Sequence, residues 1–304
     1  MYLKKTLVQG RLYWSIVESF RDGNKVKQRT IKSLGTTENA HLQLRKNPKY
    51  GTLYSKIADH IRCDGKARTF DFYFVVTGKS SAEYEVISDV RPPQVLVSYH
   101  YFKNKPLKDF VDRIGYKPKI ILDSGAYSAF TQGKNIALLD YMAYIQDNST
   151  YIDYYISLDV IGDSEFSYLY YVIMKQKGLN PVPVYHYGED ESHLVRYIER
   201  GETYIALGGT VPISDKQKVA DWVQLLCIKY PDIDFHLLGS SSPKIVGKCN
   251  LRSCDSSTWI MLAQNGQPSH IKGTTREAKI KRAKWQMHNL INRMDKGNIS
   301  TCRE

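Results

Sequence analysis

Residues 119–125 read KIILDSG: an apolar run, Ile120 to Leu122, ends on Asp123, Ser124 and Gly125. The run is continuous in apolarity rather than alternating, which is the pattern of a strand covered on both faces. The same shape recurs along the chain as FYFVVTG (72–78), QVLVSYHYF (94–102), DYYISLDVIG (153–162), PVPVYHYG (181–188), YIALGG (204–209) and DFHLLGS (234–240). LRSCDSS (251–257) is a weaker eighth case.

Helical patterns lie between most of these runs. One starts at about Asp163 and stops at Gly178. A second runs from Glu189-Asp190 to Gly201, with Leu194, Val195 and Ile198 on one face. A third begins near Ser214 and carries Val219, Trp222, Val223 and Leu226 at helical spacing. Strand and helix alternating eight times predicts parallel βα units closed into a (β/α)8 TIM-type barrel, an α/β fold, over residues 67–266. A doubly wound open sheet is the alternative, but no GxGxxG turn follows the first strand.

Two appendages flank the barrel. In residues 1–66, LVQGRLYWSIVESF and KVKQRTIKSLG surround Asp22-Gly23-Asn24, a hairpin turn signal. Lys25, Lys27 and Arg29 alternate with Val26 and Gln28, so the cations share one face of a strand. Residues 38–66, with Pro48 and Gly51, read as a polar connection. In 267–304, Thr274 or Thr275 can cap and Gly297 can close a helix. Its stripe of Ile280, Ala283, Met287, Leu290, Ile291 and Met294 faces the body, and Arg276, Lys279, Lys281, Arg282 and Lys284 crowd its first half.

Charge follows the same division. The formal net charge is +12, yet residues 1–50 hold eleven Lys/Arg against three Asp/Glu, and residues 267–304 hold nine against three. The span between carries −2. Basic ends on a near-neutral body imply a polyanionic partner, nucleic acid, with DNA slightly ahead of tRNA. The five cysteines are irregularly spaced with no CxxC pair, against both a disulfide scaffold and a structural zinc site. No apolar window approaches a membrane span, and the start MYLKKTLVQG lacks a signal-peptide core, so the expected location is cytoplasmic.

If the barrel closes, its site lies where strands end. Those ends supply Thr77-Gly78, Ser98, His100, Asp123-Ser124-Gly125, Asp159, His186, Gly208-Gly209, Gly239-Ser240 and Asp255-Ser256. Singly, Asp123 reads equally as a helix cap, His186 as a hydrogen-bonded core histidine, and Gly208-Gly209 as an easy turn. Together, three carboxylates without a metal motif suit substitution at an anomeric carbon, one Asp as nucleophile and another as proton donor. A metallohydrolase using His100, His186 and carboxylates is the physical rival, though no HxH or HExxH spacing occurs.

The sequence Asp123-Ser124-Gly125-Ala126-Tyr127 resembles the DSGG(Y/F) motif of the tRNA-guanine transglycosylase superfamily. Ser157-Leu158-Asp159 is similar to that family's LD element, Ala206–Gly209 to its AxGG, His236–Gly239 to its xLxG strand, and Cys254-Asp255-Ser256 to its nucleophile segment. The pattern covers about residues 70–262 and looks closest to the shorter phage and mobile-element members, among them the 7-deazaguanine DNA transglycosylases. This resemblance implies exchange of guanine in nucleic acid for a 7-deazaguanine base. It makes Asp255 the nucleophile and Asp123 the acid/base, and lets Asp159, Gly208 and Gly209 recognise the base while Tyr127 stacks on it. Ser124, Gly125, His186 and Gly239 complete the expected pocket. The family's CxCxxC zinc site is absent and Ser128 replaces a common glutamine, so no zinc or other cofactor is expected. A catalytically inactive nucleic-acid-binding barrel is the alternative, and a homodimer is left open. GNKVKQRTIKSLG (23–35) resembles the opening module of some transposases.

Overall fold

The computed structural model describes residues 1–304 except 9–10, 24, 37–38, 41–42, 45–52, 54–69, 247–250 and 296–304. The chain forms two units, one of residues Met1–Thr69 with Ile228–Pro231 and the other of the remainder. The polar connection expected over 38–66 lies mostly outside the described residues, as do Cys63, Cys249, Cys302 and Gly297.

The first unit is a three-stranded antiparallel sheet in the order β1 (Tyr2–Val8), β2 (Arg11–Asp22), β3 (Lys25–Thr36). The sequence signalled the β2–β3 hairpin but not β1, whose YLKKTLV run covers little and so leaves a weak pattern. Asp22 pairs with Lys25, and Gly23 takes the turn at φ 59°. That left-handed value is open to glycine without cost and is what a tight hairpin turn demands. Trp14, Ile16 and Leu34 pack with Ala40, Leu44 and Leu53 into a small core at the base of the hairpin. Further out, the described residues from Ser19 to Ser33 are exposed on both faces, so β2 and β3 form an arm.

The second unit carries eight parallel strands: β4 (Asp71–Val76), β5 (Gln94–Ser98), β6 (Lys119–Asp123), β7 (Tyr154–Tyr155), β8 (Val184–His186), β9 (Tyr204–Gly208), β10 (Asp234–Leu237) and β11 (Ser253–Ser256). They run in the order β7-β6-β5-β4-β11-β10-β9-β8, and a parallel bridge between Ile156 and Val182 joins the two ends. This is the expected (β/α)8 topology, with helices between successive strands. Even the weak eighth run is a strand: Ser253–Ser256 is polar but wholly buried between β4 and β10.

The helix signals are local. Asp163 accepts from the Phe166 N–H at 3.0 Å and Asp190 from the Ser192 N–H at 2.9 Å, each opening the helix predicted after it. The barrel interior is apolar in its middle layer, where Tyr73, Leu96, Ile121, Ile156, Val184 and Ala206 meet. Strand register brings Ser98 level with Asp123, and His186 level with Gly208, at the C-terminal mouth.

The C-terminal helix, Arg276–Asp295, begins with Thr275 accepting from the Ala278 N–H at 3.2 Å. It packs on the helices Ser81–Val90 and Thr258–Gln264, burying Ala278, Ile280, Ala283 and Met287. Among the described residues no helix is long and apolar enough to cross a membrane.

Candidate acid–base site

Three carboxylates meet at the C-terminal mouth, each held differently. Asp123 ends β6, and its Oδ2 accepts from the Gly125 N–H at 2.9 Å. Gly125 has φ 76°, and a Cβ there would fall 2.5 Å from both His100 Cβ and Ser98 Oγ. Gly125 therefore lets the β5 and β6 ends approach each other. Burial pushes the Asp123 carboxyl up to about 7, and the charges of Asp159 and Asp255 add to the rise against the Gly125 hydrogen bond. A carboxyl with that value exchanges a proton at neutral pH.

Asp159 follows β7 and is fixed from two sides. The Ser124 hydroxyl, fully buried, donates to its Oδ1 at 3.2 Å, and His186 Nε2 donates to its Oδ2 at 3.0 Å. The other His186 nitrogen lies 3.1 Å from Glu189 Oε1, while the His186 backbone N–H donates to Glu189 Oε2 at 3.0 Å. Burial works against a charged ring here, but the bonds and charges of Asp159 and Glu189 prevail and raise His186 to about 10. His186 is thus an imidazolium clamped between two carboxylates. Gly208 makes this possible, since a Cβ there would lie 2.7 Å from the His186 ring.

Asp255, on β11, accepts from the Gly239 N–H at 2.9 Å, and its Oδ1 lies 3.1 Å from His236 Nε2. Gly209 and Gly239 both take left-handed turns, at φ 71° and 68°. Tyr127, in the helix Ala126–Thr131, is 46% exposed at the edge of the mouth. His100 turns away to Gln132 at 3.2 Å, so it does not join His186 as a metal ligand would. No group of three or more His, Cys, Asp or Glu among the described residues is arranged to hold a metal ion.

The mouth therefore gathers Asp123, Asp159, Asp255, Ser124 and His186, as the strand ends suggested. Sequence reasoning missed Glu189 and His236. Glu189 had a legible signal, a carboxylate three residues after a strand-end histidine. His236 had none, because its apolar neighbours Phe235 and Leu237 are buried as well and alternation does not mark the inward side.

The basic positions divide. Lys25, Lys27 and Arg29 stay exposed on the β3 arm, with Lys27 2.5 Å from Asp22 and Arg29 2.7 Å from Glu18. On the C-terminal helix the expected basic face loses Arg282, which is buried, while Arg276, Lys279 and Lys281 stay exposed. Arg282 is buried and donates to the carbonyls of Ala263, Ile271 and Gly273, each at 2.9 Å. Arg276 pairs with Glu85 at 3.0 Å, Lys284 with Asp89, and Lys281 with Glu277 of the same helix at 2.9 Å. Arg282 docks the helix through backbone carbonyls, and Arg276 and Lys284 reach acidic residues of the helix Ser81–Val90.

Residues 3–50 match the family model described as IS1634 family transposase, N-terminal domain. No curated protein matches the chain. Among solved structures, a putative fructose-1,6-biphosphate aldolase from Coccidioides immitis is similar at TM-score 0.48 and 10% identity, over 75% of this chain and 92% of that one. The YdjI aldolase from Escherichia coli K12 is similar at TM-score 0.44 and 11% identity, over 76% and 91%. A 4-hydroxy-2-oxoglutarate aldolase/2-deydro-3-deoxyphosphogluconate aldolase from TTHB1 gives TM-score 0.41 and 12% identity, over 71% and 93%.

These findings overturn the guanine transglycosylase expectation. The family matched, over residues 3–50, is a transposase N-terminal module and not a transglycosylase. With it go the queuine and 7-deazaguanine substrates, the phage-type assignment, and the covalent glycosyl role given to Asp255. The motifs that carried the resemblance have a local explanation. Asp123 ties down the Gly125 turn, and Gly125, Gly209 and Gly239 supply the left-handed residues that strand-to-helix turns of a barrel require. Five short Asp- and Gly-containing motifs in order is what such a rim looks like.

Proposed function

We propose that the chain joins a nucleic-acid-binding N-terminal unit to a barrel that performs general acid–base chemistry at its C-terminal mouth. The observation that carries the catalytic half is Asp123, a half-buried residue whose carboxyl is raised to about 7 beside Asp159 and Asp255. A protonation state poised at the working pH is what a proton donor and acceptor needs. The mouth is rich in acceptors: Asp159, Asp255 and Glu189 outweigh the single imidazolium of His186. Such a surface favours a ligand with N–H donors or positive charge and repels phosphates. Aldol-type cleavage through a Schiff base would need a lysine among the strand ends. Strands β4–β11 hold one lysine, Lys119, at the opposite end in an ion pair with Asp71 at 2.9 Å. Nothing in the proposed chemistry calls for a cofactor.

The nucleic-acid half is supported by the match of residues 3–50 and by the exposed arm. A two-stranded ribbon fits the major groove of duplex DNA, and Lys25, Lys27, Arg29 and Lys32 lie along one strand of it. The arm's ion pairs are exposed and weak, so phosphates can displace them. A cytoplasmic location follows from this partner.

Two measurements test the reading. Carboxyl 13C NMR, assigned by loss of the signal in Asp123→Asn, should show an aspartate titrating near 7; an ordinary carboxylate value sinks the acid–base half. Fluorescence anisotropy with duplex DNA should show salt-dependent binding that the quadruple change of Lys25, Lys27, Arg29 and Lys32 to Glu weakens about tenfold or more. Equal binding by that variant sinks the DNA half.

A further inference from the structure

A line of polar atoms runs through the otherwise apolar barrel centre beneath Asp255. Tyr204 Oη lies 2.7 Å from Ser253 Oγ, Ser253 Oγ lies 2.8 Å from His236 Nδ1, and His236 Nε2 lies 3.1 Å from Asp255 Oδ1. His236 is 0% exposed and Ser253 1%. The neighbours of the imidazole are aromatic and apolar: Tyr73 meets it edge-on at 5.8 Å between ring centroids, and Tyr204 at 6.3 Å. A histidine and a serine placed here carry a desolvation cost that alanine or leucine would avoid, so each polar atom must be satisfied.

With a neutral His236 ring, the direction of every hydrogen bond in the line follows from its upper end. A carboxylate only accepts, so the proton between His236 and Asp255 belongs to Nε2. In a neutral ring Nδ1 then holds a lone pair and accepts from the Ser253 hydroxyl. Ser253 Oγ in turn accepts from the Tyr204 phenol. Burial raises the Tyr204 phenol well above its usual value, which keeps it a donor. At its lower end Tyr204 lines a polar cavity of about 410 Å3 at the N-terminal mouth, together with Tyr73, Asp71, Lys119 and Arg252.

We propose that Ser253, its own oxygen satisfied by Tyr204, is a positioning residue that holds His236 as the neutral Nε2–H tautomer, so that Asp255 faces the C-terminal mouth as a fixed carboxylate. The proposal rests on the acid–base reading of that mouth and deepens it. Because His236 brings no exchangeable positive charge to Asp255, the two catalytic-site aspartates stay unlike: Asp255 is held as an acceptor, and Asp123 is the one that carries the proton. Ser253 is the decisive member, since its hydroxyl is what the Nδ1 lone pair accepts from.

The test is 15N NMR of the full chain labelled at histidine, at neutral pH, with His236 assigned by the loss of its signals in His236→Gln. The expected wild-type spectrum has a neutral His236 ring protonated at Nε2. In Ser253→Ala the buried Nδ1 loses its donor, and the ring should change to the imidazolium or to a mixture of tautomers; Ser253→Thr should restore the wild-type pattern. Tyr204→Phe should leave the tautomer in place, because Ser253 still donates. An imidazolium or an Nδ1–H ring in the wild type overturns the proposal, as does an unchanged ring in Ser253→Ala. Should the Ala variant fail to fold, the wild-type and Thr spectra still decide. No substrate enters this measurement, so an Asp123 that titrates in the ordinary carboxylate range would refute the acid–base reading while the His236 tautomer stood or fell by its own spectrum.

Discussion

The two mouths of the barrel are made from the same eight strands but treat charge in opposite ways. At the N-terminal mouth, Asp71 receives Lys119 at 2.9 Å and Arg252 at 3.1 Å, and Glu202 receives Lys175 at 2.8 Å. Both of these carboxylates have a cation within reach. At the C-terminal mouth Asp159 and Asp255 lie close enough to add to the rise that burial imposes on Asp123, and the histidine that reaches Asp159 is already shared with Glu189. Paired charge of the first kind contributes modest stability. Gathered like charge of the second kind costs stability, and a fold that keeps it does so for its chemistry. The lesson is that the cavity at the N-terminal mouth, though roomy, is an electrostatically satisfied end, and the C-terminal mouth is the one held away from its stability optimum.

That contrast can be broken by removing the strain at its centre. Asp123 binds a proton in the native state up to about pH 7 but in the unfolded chain only up to its ordinary value of 3.8. Between those values the native state holds more protons, so stability falls as pH rises and the loss is complete above 7. Asp123→Asn should therefore gain stability at pH 8, by on the order of 4 kcal/mol for a shift of about three pH units, and gain almost nothing at pH 4. Chemical denaturation at both pH values checks it; equal effects at the two would mean that the carboxylates do not strain the mouth.

Gly125→Ala should be the next largest change. The added Cβ meets two atoms at 2.5 Å and the backbone sits at φ 76°, so a loss of about 2–4 kcal/mol is expected. A neutral outcome in thermal unfolding would show that the β5 and β6 ends have slack. At the opposite mouth, Asp71→Asn strands Lys119 and Arg252 and should cost about 1–3 kcal/mol, where the analogous change at Asp123 stabilises. If both asparagine variants moved in the same direction at pH 8, the contrast between the mouths would be wrong.

The smallest effect is expected from Glu189→Gln. The His186 contribution is fully present below its ordinary value of 6.5 and is lost as pH rises through about 10, because the native ring holds its proton longer. With one of two carboxylate partners gone, about 1 kcal/mol should be lost at pH 6 and progressively less toward pH 10. A His186 ring whose NMR titration is unmoved by this change would show that Asp159 alone holds the proton.

Much of this was legible before any coordinates. Continuous apolar runs such as KIILD, separated by capped helical segments, require strands buried on both faces and fix parallel βα order. The strand-end carboxylates follow from that order, since residues at the C-terminal ends of neighbouring strands must share a mouth. The chemical identity of the mouth was not legible. Short Asp- and Gly-bearing motifs serve turns as readily as catalysis, and here Gly125 serves packing. The basic flanks separated for a similar reason. Composition gave both the same charge, but only packing shows that Arg282 is spent on three carbonyls while the β3 arm stays open.

What the sequence by itself determined is therefore what depends on local pattern: strand and helix order, their caps, the hairpin turn at Gly23, and the candidate carboxylates Asp123, Asp159 and Asp255. What only the tertiary structure decided is what depends on distances between segments far apart in the chain. The proton on Asp123 is set by its burial and by Asp159 and Asp255, the clamp on His186 by Asp159 and Glu189, and the line from Tyr204 through Ser253 and His236 to Asp255 by strand register. Charge–charge and hydrogen-bond energies fall steeply with separation, and separation in space is fixed only once the barrel closes.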